Sequence, residues 1–347
     1  MSGLHIAIVT DAWTPQVNGV VRTLTTLAGV LRAWGHEVTV ISPDHFRSMP
    51  CPSYPEIRLA LLPPGAISAW LDRIAPDAIH IATEGPLGLA ARRYCLRKGQ
   101  SFTTAYHTQF PDYLARRTHL PAGAFWPYIC WFHRPSAGIM VATESVRSQL
   151  RDHGLQRLYA WSRGVDLAHF TPAIAPPDLY FDLPRPIQLY VGRVSVEKNI
   201  EAFLGNSHPG SKVVVGDGPA RARLQAQFPD AIFLGAQSGE NLAACYAGAD
   251  VFVFPSKTDT FGLVMIEALA CGTPVAAYPV QGPQDILTPA AGAMDMRIEQ
   301  AIAAALTLDR DDCAAYGASF TWEASAQQFI KALACEAGPA DHGFLTV

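Results

Sequence analysis

The 347-residue sequence lacks several features, and each absence excludes a class of protein. Charged residues make up 16% of the chain, and no run of 18 apolar residues occurs, so neither a membrane-spanning helix nor a secretory signal is predicted. The seven cysteines form no CxxC pair and no Cys/His cluster, which favours reduced cytosolic thiols over disulfides or zinc. No G-x-G-x-x-G follows the first apolar run, which disfavours an NAD-type dehydrogenase.

The formal net charge of −4 is divided unevenly between the two halves of the chain. Residues 1–170 hold 16 Lys and Arg against 11 Asp and Glu, a balance of +5, whereas residues 171–347 hold 10 against 19, a balance of −9. A basic first half suggests attraction to an anionic surface. We expect no nucleic-acid partner, because such a domain would be much more strongly basic.

Short apolar runs alternate with helical patterns along the chain, which predicts an α/β protein with parallel sheets. The length exceeds that of a single core, so we expect two doubly wound, Rossmann-like domains. Five prolines in residues 171–186 indicate the linker, between a domain at 1–170 and another at 187–318, with a final helical segment at 319–347. The predicted strands are residues 4–10, 37–42, 78–83, 101–106, 138–143, 187–192, 212–217, 231–235, 251–256 and 274–279.

One carboxylate, that of Glu267, lies in a helical segment that is otherwise apolar all round. Such a helix is expected to be buried, and a buried carboxylate is costly unless hydrogen-bond donors meet it. Glu267 therefore needs a partner, which is either a ligand or a Lys or Arg elsewhere in the core. The helix begins near Gly262 and Leu263, where its free N–H groups favour an anion beside Lys257 and Asp259.

Other candidate residues follow predicted strands, where open parallel sheets bind their ligands. Asn18 and Gly19 open a helix, either as a plain cap or as a loop that approaches a phosphate. Arg193 and Lys198 are five residues apart, so they either meet one anionic centre or are two solvated surface charges. His107 is a general base, a substrate donor or a structural histidine.

Two further patterns concern phosphate and metal binding. Gly216 and Gly218 lie in a tight strand-to-helix turn, VGDGP, which permits a close backbone approach. The acidic run DRDD, residues 309–312, lies far from these motifs, and we interpret it as solvated charge, so no metal site is expected.

Residues 110–134 mix basic and aromatic side chains, a composition that suits a bilayer interface. A second basic cluster, residues 92–98, belongs to the same half of the chain. The alternative is that the aromatic residues are core and the charges are solvated. With the balance of +5, we favour peripheral binding to an anionic membrane, at the inner face of the cytoplasmic membrane. The candidates for membrane or acceptor contact are Arg116, Arg117, Phe125, Trp126 and Trp131.

Four segments, IVTDAWTPQVNGV, YHTQFPDYLARR, WSRGVDLAHFTP and PSKTDTFGLVMIEALACGTPV, resemble glycosyltransferase family 4, a family of retaining enzymes with the GT-B fold. They are similar to the branch that contains glycosyl-diacylglycerol synthases, sulfolipid synthase and α-mannosyltransferases. The resemblance implies two facing domains, with a last helix that crosses back to the first domain.

The resemblance also implies roles for the candidate residues. Glu267 would hold the ribose hydroxyls, Asp259 would contact the transferred sugar, and His107 would donate to that sugar. Asp259 departs from the family pattern, in which Glu is the common residue. The expected catalytic residues are His107, Arg193, Lys198 and Asp259. The expected donor-binding residues are Gly19, Arg193, Lys198, Gly216, Gly218, Asp259, Gly262, Leu263 and Glu267.

The predicted function is transfer of a hexose, glucose or glucuronic acid, from a UDP-sugar to a membrane lipid such as diacylglycerol, without a cofactor or metal. One alternative is a GDP-mannose-dependent α-mannosyltransferase acting on a lipid or glycan. A different class of protein, a nucleotide-sugar-binding protein on the same scaffold, is disfavoured because the site residues occur as a set.

Overall fold

A computed structural model describes the chain except for residues 1–2, 15, 17, 52–53, 108–110, 112–114, 116–120, 258, 260 and 335–347. The chain divides into two compact units. The first unit contains residues up to Ser162 and the helix that begins at Trp322, and the second contains Arg163–Thr321. Val165 and Thr321 form a parallel bridge, so the segments that enter and leave the second unit lie side by side.

The first unit is built on a six-stranded parallel sheet with the order β2-β1-β5-β6-β7-β8 and a separate antiparallel hairpin, β3-β4. Apolar side chains pack on both faces of this sheet, in three clusters. Its strands are β1 His5–Val9, β2 Glu37–Ile41, β3 Ser48–Cys51, β4 Tyr54–Ala60, β5 Ala78–Ile81, β6 Thr103–Tyr106, β7 Gly138–Val141 and β8 Leu158–Ala160. Its helices are α1 Gly19–Ala33, α2 Ala66–Ile74, α3 Pro86–Lys98, α4 Trp126–His133, α5 Glu144–Asp152 and, from the end of the chain, α13 Trp322–Ala334.

The second unit repeats this design with the strand order β11-β10-β9-β12-β13-β14, again all parallel. The strands are β9 Ile187–Val191, β10 Ser211–Val215, β11 Ile232–Gly235, β12 Val251–Phe254, β13 Val275–Ala277 and β14 Gly292–Met294. The helices are α6 Ile200–Leu204, α7 Arg221–Gln227, α8 Gly239–Gly248, α9 Leu263–Ala270, α10 Pro283–Ile286, α11 Ile298–Ala305 and α12 Arg310–Ala318. Two Rossmann-like units of parallel strands and helices confirm the predicted fold class.

Local sequence signals explain where the first helices begin and end. Asn18 caps α1, because its Oδ1 accepts the N–H groups of Val20 and Val21, each at 3.0 Å. Pro86 begins α3, and Gly99 ends it in the left-handed region at φ 65°. The ten strands predicted from apolar runs are present, whereas the hairpin β3-β4 and the short strands β8 and β14 were not predicted.

The proline-rich segment does not lie at the division between the units. The division falls before Arg163, so the expected linker, residues 171–186, belongs to the second unit, as do residues 163–170. Tyr180 is fully buried, and the segment packs so closely that a Cβ on Gly248 would lie 2.5 Å from Pro176. Proline signals an irregular backbone, and here that backbone is packed against a domain.

The last helix returns to the first unit. Ala326, Phe329 and Ala332 of α13 are buried in the same cluster as Ile6 and Leu27. Ser325 also donates to the carbonyl of Ser162, at 2.8 Å. Within the ranges that the structure describes, no helix combines the length and the apolar character needed to cross a membrane.

Candidate functional site

The second unit has a switch point in its sheet between β9 and β12. The chain runs from β9 outwards through β10 and β11, and then returns to the other side of β9 with β12. Connections leave these two neighbouring strands in opposite directions, which opens a crevice beyond their carboxyl ends. The loops that follow β9 and β12 contain Lys198 and Asp259 respectively, which lie 61 residues apart in sequence.

Lys198 and Asp259 form an ion pair in this crevice. The Nζ of Lys198 donates to the Oδ1 of Asp259 at 2.5 Å, and each side chain keeps about a quarter of its surface exposed, 27% and 24%. The loops are joined a second time, because the Asn199 side chain donates to the carbonyl of Pro255 at 3.0 Å. Two of the predicted catalytic residues are therefore held together.

Three buried oxygen atoms in these two loops have no hydrogen-bond partner among the described residues: Ser195 Oγ, Ser256 Oγ and Asp259 Oδ2. A buried polar atom without a partner costs about 1–3 kcal/mol, so a group of them is typical of a site that binds a polar ligand. The sequence analysis missed Ser195 and Ser256. Serine is too common after strands for its identity to signal a site.

Glu267 is buried, as its apolar surroundings predict, with 2% of its surface exposed. Its partners include Tyr246 of α8, whose hydroxyl donates to Glu267 Oε2 at 3.1 Å. Gly262 adopts the left-handed conformation, φ 82°, directly before α9, and Leu263 is the first residue of that helix. The first turn of α9 and the buried carboxylate thus lie on one helix, which follows the carboxyl end of β12.

Gly216 and Gly218 are required by packing next to the site. A Cβ on Gly216 would lie 1.9 Å from the carbonyl oxygen of Gly192, and one on Gly218 would lie 2.4 Å from that of Val194. These glycines let the loop after β10 lie directly against the loop after β9, which contains Arg193. Gly216 and Gly218 therefore allow the predicted close backbone approach, and the segment that they approach is the loop after β9.

The acidic run 309–312 is not merely solvated charge, as the sequence analysis proposed. Asp309 caps α12 by accepting the N–H groups of Asp311 and Asp312, at 2.7 and 3.2 Å. The Arg310 guanidinium donates to the carbonyls of Ala247 and Ala249, at 2.8 and 2.6 Å. The run thus caps the start of α12 and joins that helix to the C-terminal end of α8.

The first unit has its own switch point, between β1 and β5. Asp11 follows β1, and its carboxylate accepts the N–H groups of Leu87 and Gly88 at the start of α3, together with the Thr83 hydroxyl. Burial outweighs these hydrogen bonds and raises the pKa of Asp11 to about 6. The anion position at this helix terminus is thus filled by the protein's own side chain.

The remaining first-unit candidates lie at strand ends. Asn18 is a helix cap, so the first two free N–H groups after Gly19 are already satisfied. His107 follows β6 directly, and its ring centroid lies 5.3 Å from that of Trp161. The role of His107 and the donor role of Gly19 both stay predictions.

The predicted membrane contacts are only partly at the surface. Trp126 is buried, contrary to the prediction, because its ring stacks on His153 with centroids 3.6 Å apart. Trp131 is 51% exposed, and Phe125 is half-buried. Arg116 and Arg117 lie outside the described residues.

The basic cluster at 92–98 is also divided between the interior and the surface. Arg92 is buried and donates to the carbonyls of Phe132 and Trp131, at 3.0 and 2.7 Å. Its guanidinium carbon lies 3.8 Å from the centroid of the Trp131 ring. Burial lowers the pKa of Arg92, and the residue serves to join α3 to α4.

Two family models match the chain, one for each unit. The model described as Glycosyltransferase Family 4 matches residues 17–169, and the model described as Glycosyl transferases group 1 matches residues 185–308. Among solved structures, sucrose-phosphate synthase from Thermosynechococcus elongatus superposes with a TM-score of 0.77 at 22% identity, over 94% of this chain and 98% of that one. At this identity the likeness establishes the fold, which is GT-B.

Curated relatives match over most of their length. A GDP-mannose-dependent alpha-mannosyltransferase of Mycobacterium tuberculosis is 32% identical over 312 residues, 83% of this chain and 82% of the relative. An alpha-monoglucosyldiacylglycerol synthase of Streptococcus pneumoniae is 28% identical over 317 residues, 79% of this chain and 71% of the relative. With the paired site residues and the two Rossmann-like units, these matches show that the chain belongs to glycosyltransferase family 4 and is a glycosyltransferase.

Proposed function

We propose that this glycosyltransferase transfers mannose from GDP-mannose to a hydroxyl of a lipid-linked acceptor, with retention of the anomeric configuration. The observation that carries the proposal is the Lys198–Asp259 pair at the β9/β12 switch point. It lies among buried oxygen atoms that need partners and precedes the helix that contains the buried Glu267. Such a site offers a cation and helix N–H groups for a diphosphate, and carboxylates for hydroxyl groups.

The donor and acceptor are proposed from relatives. The sequence favours a UDP-hexose as the donor, with GDP-mannose as the alternative. The Mycobacterium tuberculosis relative, which is the more similar of the two described above, supports GDP-mannose. The Streptococcus pneumoniae relative, named for a glucosylated diacylglycerol, supports an acceptor with a lipid tail.

In the proposed reaction, the bond between the anomeric carbon and the diphosphate oxygen breaks as a bond to the acceptor oxygen forms on the same face. The acceptor proton passes to a donor phosphate oxygen. Lys198, Arg193 and the N–H groups at the start of α9 stabilise the charge that develops on the diphosphate. Asp259 holds a hydroxyl of the sugar, and Glu267 holds the ribose. The proposal includes no metal.

The proposed function is tested by incubating the protein with GDP-mannose, UDP-glucose or UDP-glucuronic acid and liposomes that contain diacylglycerol or phosphatidylinositol. We expect nucleotide release and a mannosylated lipid with GDP-mannose and at most slow turnover with the UDP-sugars. Soluble oligosaccharides serve as a second acceptor panel. Turnover with a UDP-sugar alone would show that the donor is a UDP-sugar and not GDP-mannose. Transfer only to soluble acceptors would refute the lipid acceptor.

We also propose that the protein binds peripherally to an anionic membrane at the inner face of the cytoplasmic membrane, through a patch on α3 and α4. Arg92 of α3 stacks on Trp131 of α4, and Leu96 follows Arg92 by one turn on α3. Leu96 and Trp131 are both about half exposed, at 48% and 51%. Arg93 and Arg97, also exposed on α3, add positive charge that suits anionic headgroups.

The double variant Leu96→Ser with Trp131→Ser is expected to lower the partition coefficient onto phosphatidylglycerol liposomes by about tenfold, because it removes two apolar contacts from the patch. Co-sedimentation measures this. The matched control is Trp34→Ser, since Trp34 is 41% exposed but follows α1. If the double variant bound as tightly as the control, the α3/α4 patch would not be the membrane contact.

A further inference from the structure

The Lys198–Asp259 pair joins two side chains that the proposed function assigns to different parts of the donor. Lys198 would hold the diphosphate, and Asp259 would hold the sugar. In this structure they hold each other, with Lys198 Nζ 2.5 Å from Asp259 Oδ1. A carboxylate at that distance competes directly with a phosphate oxygen for the same ammonium group.

We propose that Asp259 competes with the diphosphate for Lys198 and thereby promotes release of the nucleoside diphosphate after the sugar has been transferred. This inference rests on the proposed function. While the intact donor is bound, the sugar hydroxyl occupies the carboxylate and Lys198 is available to the diphosphate. Once the sugar has left with the acceptor, the carboxylate returns to Lys198.

The two oxygen atoms of Asp259 are in different surroundings, which fits this exchange. Oδ1 accepts from Lys198, whereas Oδ2 is buried and has no hydrogen-bond partner among the described residues. A buried carboxylate oxygen without a donor is costly, so Oδ2 is the atom at which a sugar hydroxyl would be stabilising.

The backbone around the pair keeps the two side chains within reach of each other. Asn199, directly after Lys198, adopts the left-handed conformation at φ 54°, which asparagine tolerates better than most residues. This conformation accompanies the hydrogen bond from its side chain to the Pro255 carbonyl, at 3.0 Å. The two loops are therefore fastened independently of the ion pair, so neutralising Asp259 leaves Lys198 in place.

The alternative is that the pair only stabilises the fold. A second ion pair in the same unit separates the two explanations. Arg185 Nη1 lies 2.6 Å from Asp250 Oδ1, and the Asp250 side chain is 25% exposed, close to the value for Asp259. Asp250 directly precedes β12, at the amino end of the strand, away from the crevice. It is a matched acid with the same charge and similar exposure.

The experiment measures the dissociation constants of GDP and GDP-mannose by calorimetry for the wild type, Asp259→Asn and Asp250→Asn. We expect Asp259→Asn to bind GDP on the order of tenfold more tightly than the wild type. Its affinity for GDP-mannose should increase much less, because the sugar loses its carboxylate partner. The increase in GDP affinity should shrink only moderately at high salt, since the charges concerned are partly buried. Asp250→Asn should leave both constants unchanged.

Inhibition of the transfer reaction by added GDP provides a second readout of GDP affinity for the same variants. In Asp259→Glu, which restores the common family residue and keeps the negative charge, GDP affinity should stay near that of the wild type. Unchanged or weaker GDP binding by Asp259→Asn, or an equal gain in Asp250→Asn, would overturn the inference while leaving the proposed function intact. If the wild type bound no nucleoside diphosphate of any base, the proposed function would fail and the inference with it.

Discussion

Replacing Glu267 by alanine is expected to lower the affinity for the nucleotide-sugar donor by about 100-fold or more. In the proposed site, the ribose hydroxyls donate two hydrogen bonds to this charged acceptor, and each would contribute about 1.5–3 kcal/mol. Glu267 is buried in α9, so its carboxylate is shielded from water and the bonds keep their strength. Calorimetric titration with GDP-mannose and with GDP measures the effect, and both ligands should be affected because both contain the ribose.

The control for this prediction is Tyr246→Phe, which removes the hydroxyl that donates to Glu267 Oε2 and keeps the carboxylate. We expect a loss of affinity smaller than that of Glu267→Ala, because Tyr246 only orients the acceptor. Thermal unfolding of both variants checks that the second unit remains folded. Donor binding by a folded Glu267→Ala variant at wild-type affinity would remove Glu267 from the site.

Replacing Lys198 by methionine is expected to lower kcat by about 100-fold to 1000-fold. In the proposed reaction, Lys198 stabilises charge that develops on the diphosphate as the bond to the sugar breaks, so its loss should raise the barrier more than it weakens donor binding. Methionine has a similar length without charge. Steady-state rates at saturating GDP-mannose measure kcat, and KM is obtained from the same data.

The control is Arg223→Met, which removes one positive charge from the same unit. Arg223 pairs with Glu201 at 2.6 Å, and both side chains are about half exposed, so their contribution is small. We expect kcat within a factor of about two of the wild type for this control. A Lys198→Met variant with unchanged kcat and raised KM would assign Lys198 to donor binding alone.

Glu267 shows what a local pattern can predict and where it ends. A single charge among apolar residues predicted both the burial of the helix and the need for a partner. One partner that the structure gives, Tyr246, lies on another helix and contributes a hydroxyl, so no pattern along the sequence indicated it. Which residues of two helices meet depends on their packing, which is not encoded by spacing.

The membrane-facing residues show the opposite case, in which composition was insufficient. Trp126 and Trp131 belong to one short helix that is mostly apolar, so hydrophobicity could not decide which of them is buried. The packing of α4 against its neighbours buries Trp126 and leaves Trp131 at the surface, beside Arg92 of α3. The position of Arg92 in the interior likewise follows from two carbonyl groups that it reaches through the fold.

By itself, the sequence determined the class of the protein. Alternating strand and helix patterns specified two Rossmann-like units, and the motifs around His107 and Glu267 specified family 4, because these signals lie within short segments. Only the tertiary structure decided that the proline-rich segment belongs to the second unit, that Lys198 meets Asp259, and that Ser195 and Ser256 of the same two loops are buried. Strand order brings together loops that are about 60 residues apart, and a pattern within a short segment does not predict a contact between residues so far apart.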